Sequence, residues 1–248
     1  MRILVLFILT FVFQYVYPQF DEQITGKEAI KAAYNINNSA VRIIKDYVYM
    51  NMRVSYAVKN VDNSFSDSED ALIMLEIYAE NHPEVKPVLQ QIINMRKKTR
   101  MMFLQKPKKE KIKTVLSKLD KLISISGKVI DKIKNIENIK ANTIQENSHK
   151  IEFIAQQLSF MHALKFMGEN QEEINLKLSN LEKNLQTSLN ILQSQIKQGS
   201  EAAFQLKLLQ SDWTMYKKIA AKKNQRFINT LYTLLDKISD NAAKLADK

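Results

Sequence analysis

The chain has 248 residues, a formal net charge of +11, four Gly, four Pro and no Cys. Gly and Pro this scarce remove the residues that tight turns of a strand-rich fold depend on. The lack of Cys removes disulfides, thiolate nucleophiles, Fe–S clusters, Cys-ligated zinc and a lipid-anchored Cys, and three scattered His (His82, His149, His162) give no metal site and no cofactor to expect.

The N-terminus reads as an export signal. Arg2 precedes an apolar run from Ile3 to Phe13, and a more polar end follows at Gln14, Pro18 and Gln19. A positive start, a short apolar run and a break are the marks of a secretory signal peptide, so residues 1–19 are expected to be removed. The other reading is a retained membrane anchor, since Val16 and Phe20 extend the run. The run is shorter than the roughly 20 residues that cross a bilayer as a helix. An exported protein at the periplasm or cell surface is the expectation.

From there the apolar residues recur at spacings of three and four, the mark of helices burying one face. The first helix carries Ile30, Ala33, Ala40, Ile44, Tyr47, Val54, Val58 and Val61, and a polar turn is expected over Asn60–Ser66. Asp67 or Ser68 is suited to cap the second helix, which runs through Leu72, Leu75 and Tyr78 to Asn81-His82-Pro83. A third carries Val85, Leu89, Ile92, Met95, Met102 and Phe103 and ends at Pro107. The fourth begins near Lys108 and, with no Pro after Pro107 to stop it, is expected to continue to Met167. Its apolar phase slips between Ile136 and Ile144, which predicts one long rod that serves two neighbouring hydrophobic interiors. Gly168-Glu169-Asn170 closes that rod. Helices through Ile174–Ile196, Leu206–Tyr216 and Ile228–Leu245 complete the chain, with Gly199-Ser200 between the first two.

The second half resembles the first. Leu119–Lys132 lies over Leu235–Lys248 at an offset of about 116, and near 115 Ile36, Ala40, Ile43 and Met52 fall on Ile151, Ala155, Leu158 and Met167. The expected fold is all-α, with two tandem four-helix-bundle modules (27–138 and 139–248) sharing a long continuous connecting helix.

Charge is concentrated. Arg96 to Lys134 holds 14 Lys/Arg against Glu110, Asp120 and Asp131, and the rest of the chain balances. The corner around Lys106, Lys108, Lys109 and Lys111 either contacts an acidic partner or anionic surface, or is a solvated face offsetting Asp62, Asp67, Glu69 and Asp70. No aromatic stacking pattern accompanies it, so nucleic acid is not an expected partner.

The module starts resemble the PilJ-type sensor domain, the N-terminal input domain of type IV pili chemotaxis transducers, which is related to nitrate-sensor input domains. The residues concerned are Ile36-Asn37-Asn38-Ser39-Ala40-Val41-Arg42-Ile43-Ile44-Lys45 in the first module and Ile151-Glu152-Phe153-Ile154-Ala155-Gln156-Gln157-Leu158-Ser159 in the second, with Trp213-Thr214-Met215-Tyr216 at the aromatic feature. The resemblance covers about 27–248 and implies a helical input module that binds a small solute. In the nitrate-sensor relatives, first-helix arginines grip an anion; here Arg42 alone keeps that residue type, and the second module has Gln156 and Gln157.

The ligand-binding candidates are Asn37, Arg42, Lys45, Gln156 and Gln157, each with the alternative of a solvated polar face. His162, Trp213 and Tyr216 read as core. No carboxylate pair, Ser/His/Asp arrangement, H-E-x-x-H motif or phosphate loop is legible, so no enzyme is expected. The expected partners are a small polar or anionic solute, an envelope signalling or structural protein and a second copy of the chain; a membrane is expected only if the N-terminal segment is retained. The competing function is a structural adaptor that bridges envelope partners through the basic corner.

Overall fold

The computed structural model describes residues 23–52, 54–103, 112–140, 142–222 and 227–248. The proposed signal peptide and the lysines at 106, 108, 109 and 111 lie outside the described residues. Those residues form eight α-helices and no strand: α1 (Gly26–Asn51), α2 (Ser55–Asn81), α3 (Lys86–Phe103), α4 (Ile112–Ile136), α5 (Thr143–Phe166), α6 (Gln171–Gln195), α7 (Glu201–Ala220) and α8 (Ile228–Ala246). A 3-10 turn, Pro83–Val85, leads into α3. The fold is all-α.

The ends of the helices carry local chemistry. Thr25 and Glu28 form a capping box at α1, which satisfies two orphan backbone donors at once. Asn142, Asn170 and Ser200 accept backbone N–H groups at the starts of α5, α6 and α7. At the end of α5, Gly168 has φ 78, while Gly168 N and Glu169 N donate to Lys165 O and Leu164 O. That is the Schellman arrangement, in which a left-handed residue lets the chain return to cap its own carbonyls.

The long rod is corrected. Where one helix was expected from Lys108 to Met167, the described residues form two, Ile112–Ile136 and Thr143–Phe166, with a break between them. Asn138 takes φ 50, and Ile139 N donates to Lys134 O at 3.0 Å, so Asn138 plays the part that Gly168 plays in α5. Asn is the second choice after Gly for this left-handed position, and its side chain leaves no mark as obvious as a Pro. Four residues on, Asn142 Oδ1 accepts from Ile144 N and Gln145 N and starts α5.

The first predicted helix is also divided, since α1 ends at Asn51 and α2 starts at Ser55. No side chain caps Val54 and no Gly or Pro stands nearby. This stop is imposed by packing: α2 folds straight back along α1, its most extensive partner. The expected polar turn over Asn60–Ser66 is consequently helical.

Helix pairing has the same order in both halves. In the first, α1 packs on α2 and α4, α4 on α3, and α2 touches α3 only lightly; in the second, α5 packs on α6 and α8, α8 on α7, and α6 touches α7 only lightly. The halves meet where α1 packs on α5. Where two interiors were expected, a single contiguous apolar core runs through all eight helices, with Ile36, Ile44, Val48, Ile151, Ala155 and Leu158 near its middle. Trp213 and Tyr216 stack at 4.8 Å inside it. His162 Nε2 meets the Tyr216 hydroxyl at 2.9 Å, a core histidine whose pKa burial lowers to about 4.

Candidate functional site

A helix enclosed on all sides is expected to be apolar all round. The two central helices break that expectation. In α1, Asn38, Ser39, Lys45 and Asp46 are buried; in α5, Ser148, His149, Glu152, Gln156 and Ser159 are. Burying such groups is costly unless each finds a partner, and most find one across the junction of the halves.

Three links hold this polar seam. Tyr34 stacks on His149 at 4.2 Å. His149 Nδ1 lies 3.2 Å from Glu152 Oε2, and Glu152 Oε1 accepts from Arg42 at 3.3 Å. Lower down, the Tyr49 hydroxyl donates to Ser159 O. Further along α1, Lys45 Nζ contacts Asp236 Oδ1 at 2.5 Å and Asp46 Oδ1 at 3.4 Å, and sits 4.2 Å above the Tyr232 ring. With its side chain only 2% exposed, Lys45 is a buried cation satisfied by two carboxylates and an aromatic face. The Tyr232 hydroxyl donates to Asp46 Oδ1 at 2.5 Å and accepts from Asn60 Nδ2 at 2.7 Å.

Along this seam lies a polar cleft of about 270 Å³, lined by Arg42, Lys45 and Asp46 of α1, Asn60, Asn63, Ser64 and Asp67 of α2, Gln156 of α5, and Asp236 and Asp240 of α8. It therefore touches both halves. Each wall is one helix face: positions 42, 45 and 46; 60, 63, 64 and 67; and 236 and 240 follow the three-and-four spacing of side chains that share a side.

The wall is electrostatically loaded. Burial raises the Asp46 carboxyl to about 6, against the opposing pull of Lys45 and the Tyr232 hydrogen bond. Asp240 stands at the cleft rim with its side chain 63% exposed; partial desolvation there raises its carboxyl, countered by Arg42 and reinforced by Asp236 and Glu152. Tyr232 is pushed well above the usual phenol range by burial, then by Asp236 and Asp46, so it remains a donor at neutral pH. Arg42 is spoken for by Glu152, by the Ser239 hydroxyl and by Asp240 Oδ1 at 3.5 Å. Among the described residues, no group of three or more His, Asp or Glu is placed to hold a metal ion.

Of the sequence candidates, the fold brings Arg42, Lys45 and Gln156 into this one cleft. Asn37 and Gln157 are half-buried and outside its lining. The solvated-face alternative does not describe Lys45 or Gln156, both buried. Lys106, Lys108, Lys109 and Lys111 lie outside the described residues. At the edge of the basic segment, Arg96 pairs with Glu69 at 2.6 Å and donates to Phe65 O, so this one arginine offsets the acidic stretch of α2.

Sequence reasoning missed Asp46, Asn60, Asn63, Ser64, Asp67, Asp236 and Asp240. A signal for them existed. The polar residues 60, 63, 64 and 67 recur at helical spacing, which a turn has no reason to show. No family model, curated protein or solved structure matches the chain, and among the described residues no helix is long and apolar enough to cross a membrane.

Proposed function

We propose that the chain is an exported binding module that takes a small polar solute into the cleft between its two halves and relays occupancy to a separate envelope partner. One observation carries the reading: the cleft is lined by α1 and α2 from the first half and by α5 and α8 from the second. A solute held there touches both halves, so its affinity depends on how they sit against each other. Only such differential affinity can shift a conformational equilibrium, and packed helices tend to move between discrete arrangements. The 270 Å³ volume is slightly below the usual 300–1,000 Å³ of ligand pockets, which points to a metabolite-sized solute.

Two further observations support a sensory, duplicated input module. The helix pairing order recurs in the two halves, and Tyr34 stacks on His149, residues made equivalent by the 115 offset. The resemblance of the module starts to PilJ-type input domains supplies the sensory part, and Arg2 with the Ile3–Phe13 run supplies export.

The test is thermal denaturation against a panel of small solutes. A site held at 100 times its Kd stabilises the fold by about 2.7 kcal/mol, and Arg42→Ala, which loosens the α1–α5–α8 junction, is expected to weaken the response. No shift with any solute, together with a silent Arg42→Ala, removes the reading.

A further inference from the structure

The reading above leaves the solute's chemical class open, and the cleft wall narrows it. We infer that the cleft is built for a small organic cation, a primary amine or guanidine, whose N–H donors meet Gln156 Oε1, Asp236 and Asp240. This rests on the cleft being a binding site and adds the charge of its occupant.

The first argument is the balance of formal charge. The lining holds two cations, Arg42 and Lys45, and four carboxylates, Asp46, Asp67, Asp236 and Asp240. Glu152 stands behind Arg42 as a fifth. An anion entering would face this excess in a partly desolvated space, where like charges repel strongly. A cation relieves it. Desolvation is the main cause that raises the Asp240 carboxyl, and Asp236 and Glu152 add to it.

The second argument is the direction of the donors. Both wall cations are turned inward: Lys45 to Asp236, Asp46 and the Tyr232 ring, Arg42 to Glu152, Ser239 and Asp240. Asn60 turns one of its two amide N–H donors to Tyr232. The carboxylates on Arg42 and Lys45 therefore offset the positive charge that an oxyanion needs from its site. Acceptor capacity remains, because an ionised carboxylate has about four lone-pair sites and Asp240 meets Arg42 only at 3.5 Å.

The third observation is independent of charge. Gln156 is 1% exposed and its amide nitrogen donates to Asp236 Oδ1 at 3.1 Å, which fixes the amide's orientation. Its Oε1 is buried without a hydrogen-bond partner among the described residues, in a residue that lines the cleft. Native folds rarely leave a buried carbonyl unmatched. What completes the site is a donor. An ammonium group brings three and a guanidinium five.

The experiment is calorimetric titration and thermal shift on the full chain with three sets of probes: methylammonium, 1,4-diaminobutane and agmatine; nitrate, acetate and glutamate; glycerol and glucose. Saturable binding confined to the amine set is expected. Asp240→Asn, at a position with a largely exposed side chain, is expected to lower amine affinity about tenfold, the scale of one charged hydrogen bond. Gln156→Leu is expected to lower it as well. Should Gln156→Leu fold poorly, Asp240→Lys reverses the charge at an exposed rim position and is expected to abolish amine binding. Binding of the anionic or neutral set in place of the amines overturns the cation assignment while the cleft reading stands. Amine binding unmoved by all three variants also overturns it, since the amine then sits elsewhere. No binding by any set removes both.

Discussion

Two buried titratable residues oppose each other across the mildly acidic range. Asp46 has its carboxyl raised from 3.8 to about 6 by burial, so the folded state binds that proton more tightly than the unfolded chain. Stability from this group is fully present below about 3.8 and is lost as pH rises through 6. His162 is lowered from 6.5 to about 4 by burial; its stability is present above 6.5 and lost as pH falls through 4. Each window is worth at most about 3 kcal/mol, with opposite slopes, so between pH 4 and 6 the wild-type contributions largely cancel. Urea midpoints measured from pH 4 to 8 check this. Asp46→Asn is expected to unmask the acid-side loss due to His162, and His162→Gln to leave a protein that grows more stable toward pH 4.5. Identical profiles for both variants would contradict the burial of one group or the other. Lys45 belongs at this scale too. It was legible as a polar position of α1, but its burial between Asp46, Asp236 and Tyr232 depends on α8, nearly two hundred residues away, and nothing local in α1 announces it.

At the scale of the element, the break between α4 and α5 rests on two asparagines. Asn138 holds the left-handed position and Asn142 the cap. Asn138→Val places a β-branched side chain at φ 50, where L-residues other than Gly and Asn pay roughly 1–2 kcal/mol, and a urea midpoint lowered by that amount is expected. Asn138→Gly is expected to leave the midpoint within a few tenths of a kcal/mol. Asn142→Ala removes the acceptor of two N–H groups and is expected to cost about 1 kcal/mol. If Asn138→Val proved neutral, the chain would not turn there. These signals were present in the sequence as Asn-Ile-Lys-Ala-Asn but were outweighed by the lack of Pro and Gly. The α1–α2 turn differs: without a cap, Gly or Pro, its position was not readable locally.

For the whole molecule, the contiguous core predicts that the two halves unfold as one cooperative unit. Trp213 is the single tryptophan and reports on the second half, whereas far-UV circular dichroism reports on all eight helices. A shared core predicts coincident urea transitions by the two probes, the ordinary test of two-state unfolding. A dichroism transition that splits while fluorescence shows one step would mean that the halves melt separately.

What the sequence by itself determined is the all-α class, the approximate course of most helices and the polar positions Arg42, Lys45 and Gln156. These follow from periodicity and composition, which act within a few turns of chain. Tertiary structure alone decided that α1 and α5 lie enclosed against each other, that the polar faces of α2 and α8 meet there, and that Lys45 and Arg42 are neutralised by carboxylates. The physical reason is range. Helical spacing states which side chains share a face, but the partner of that face is selected by global packing, and the cleft exists only where four such faces converge.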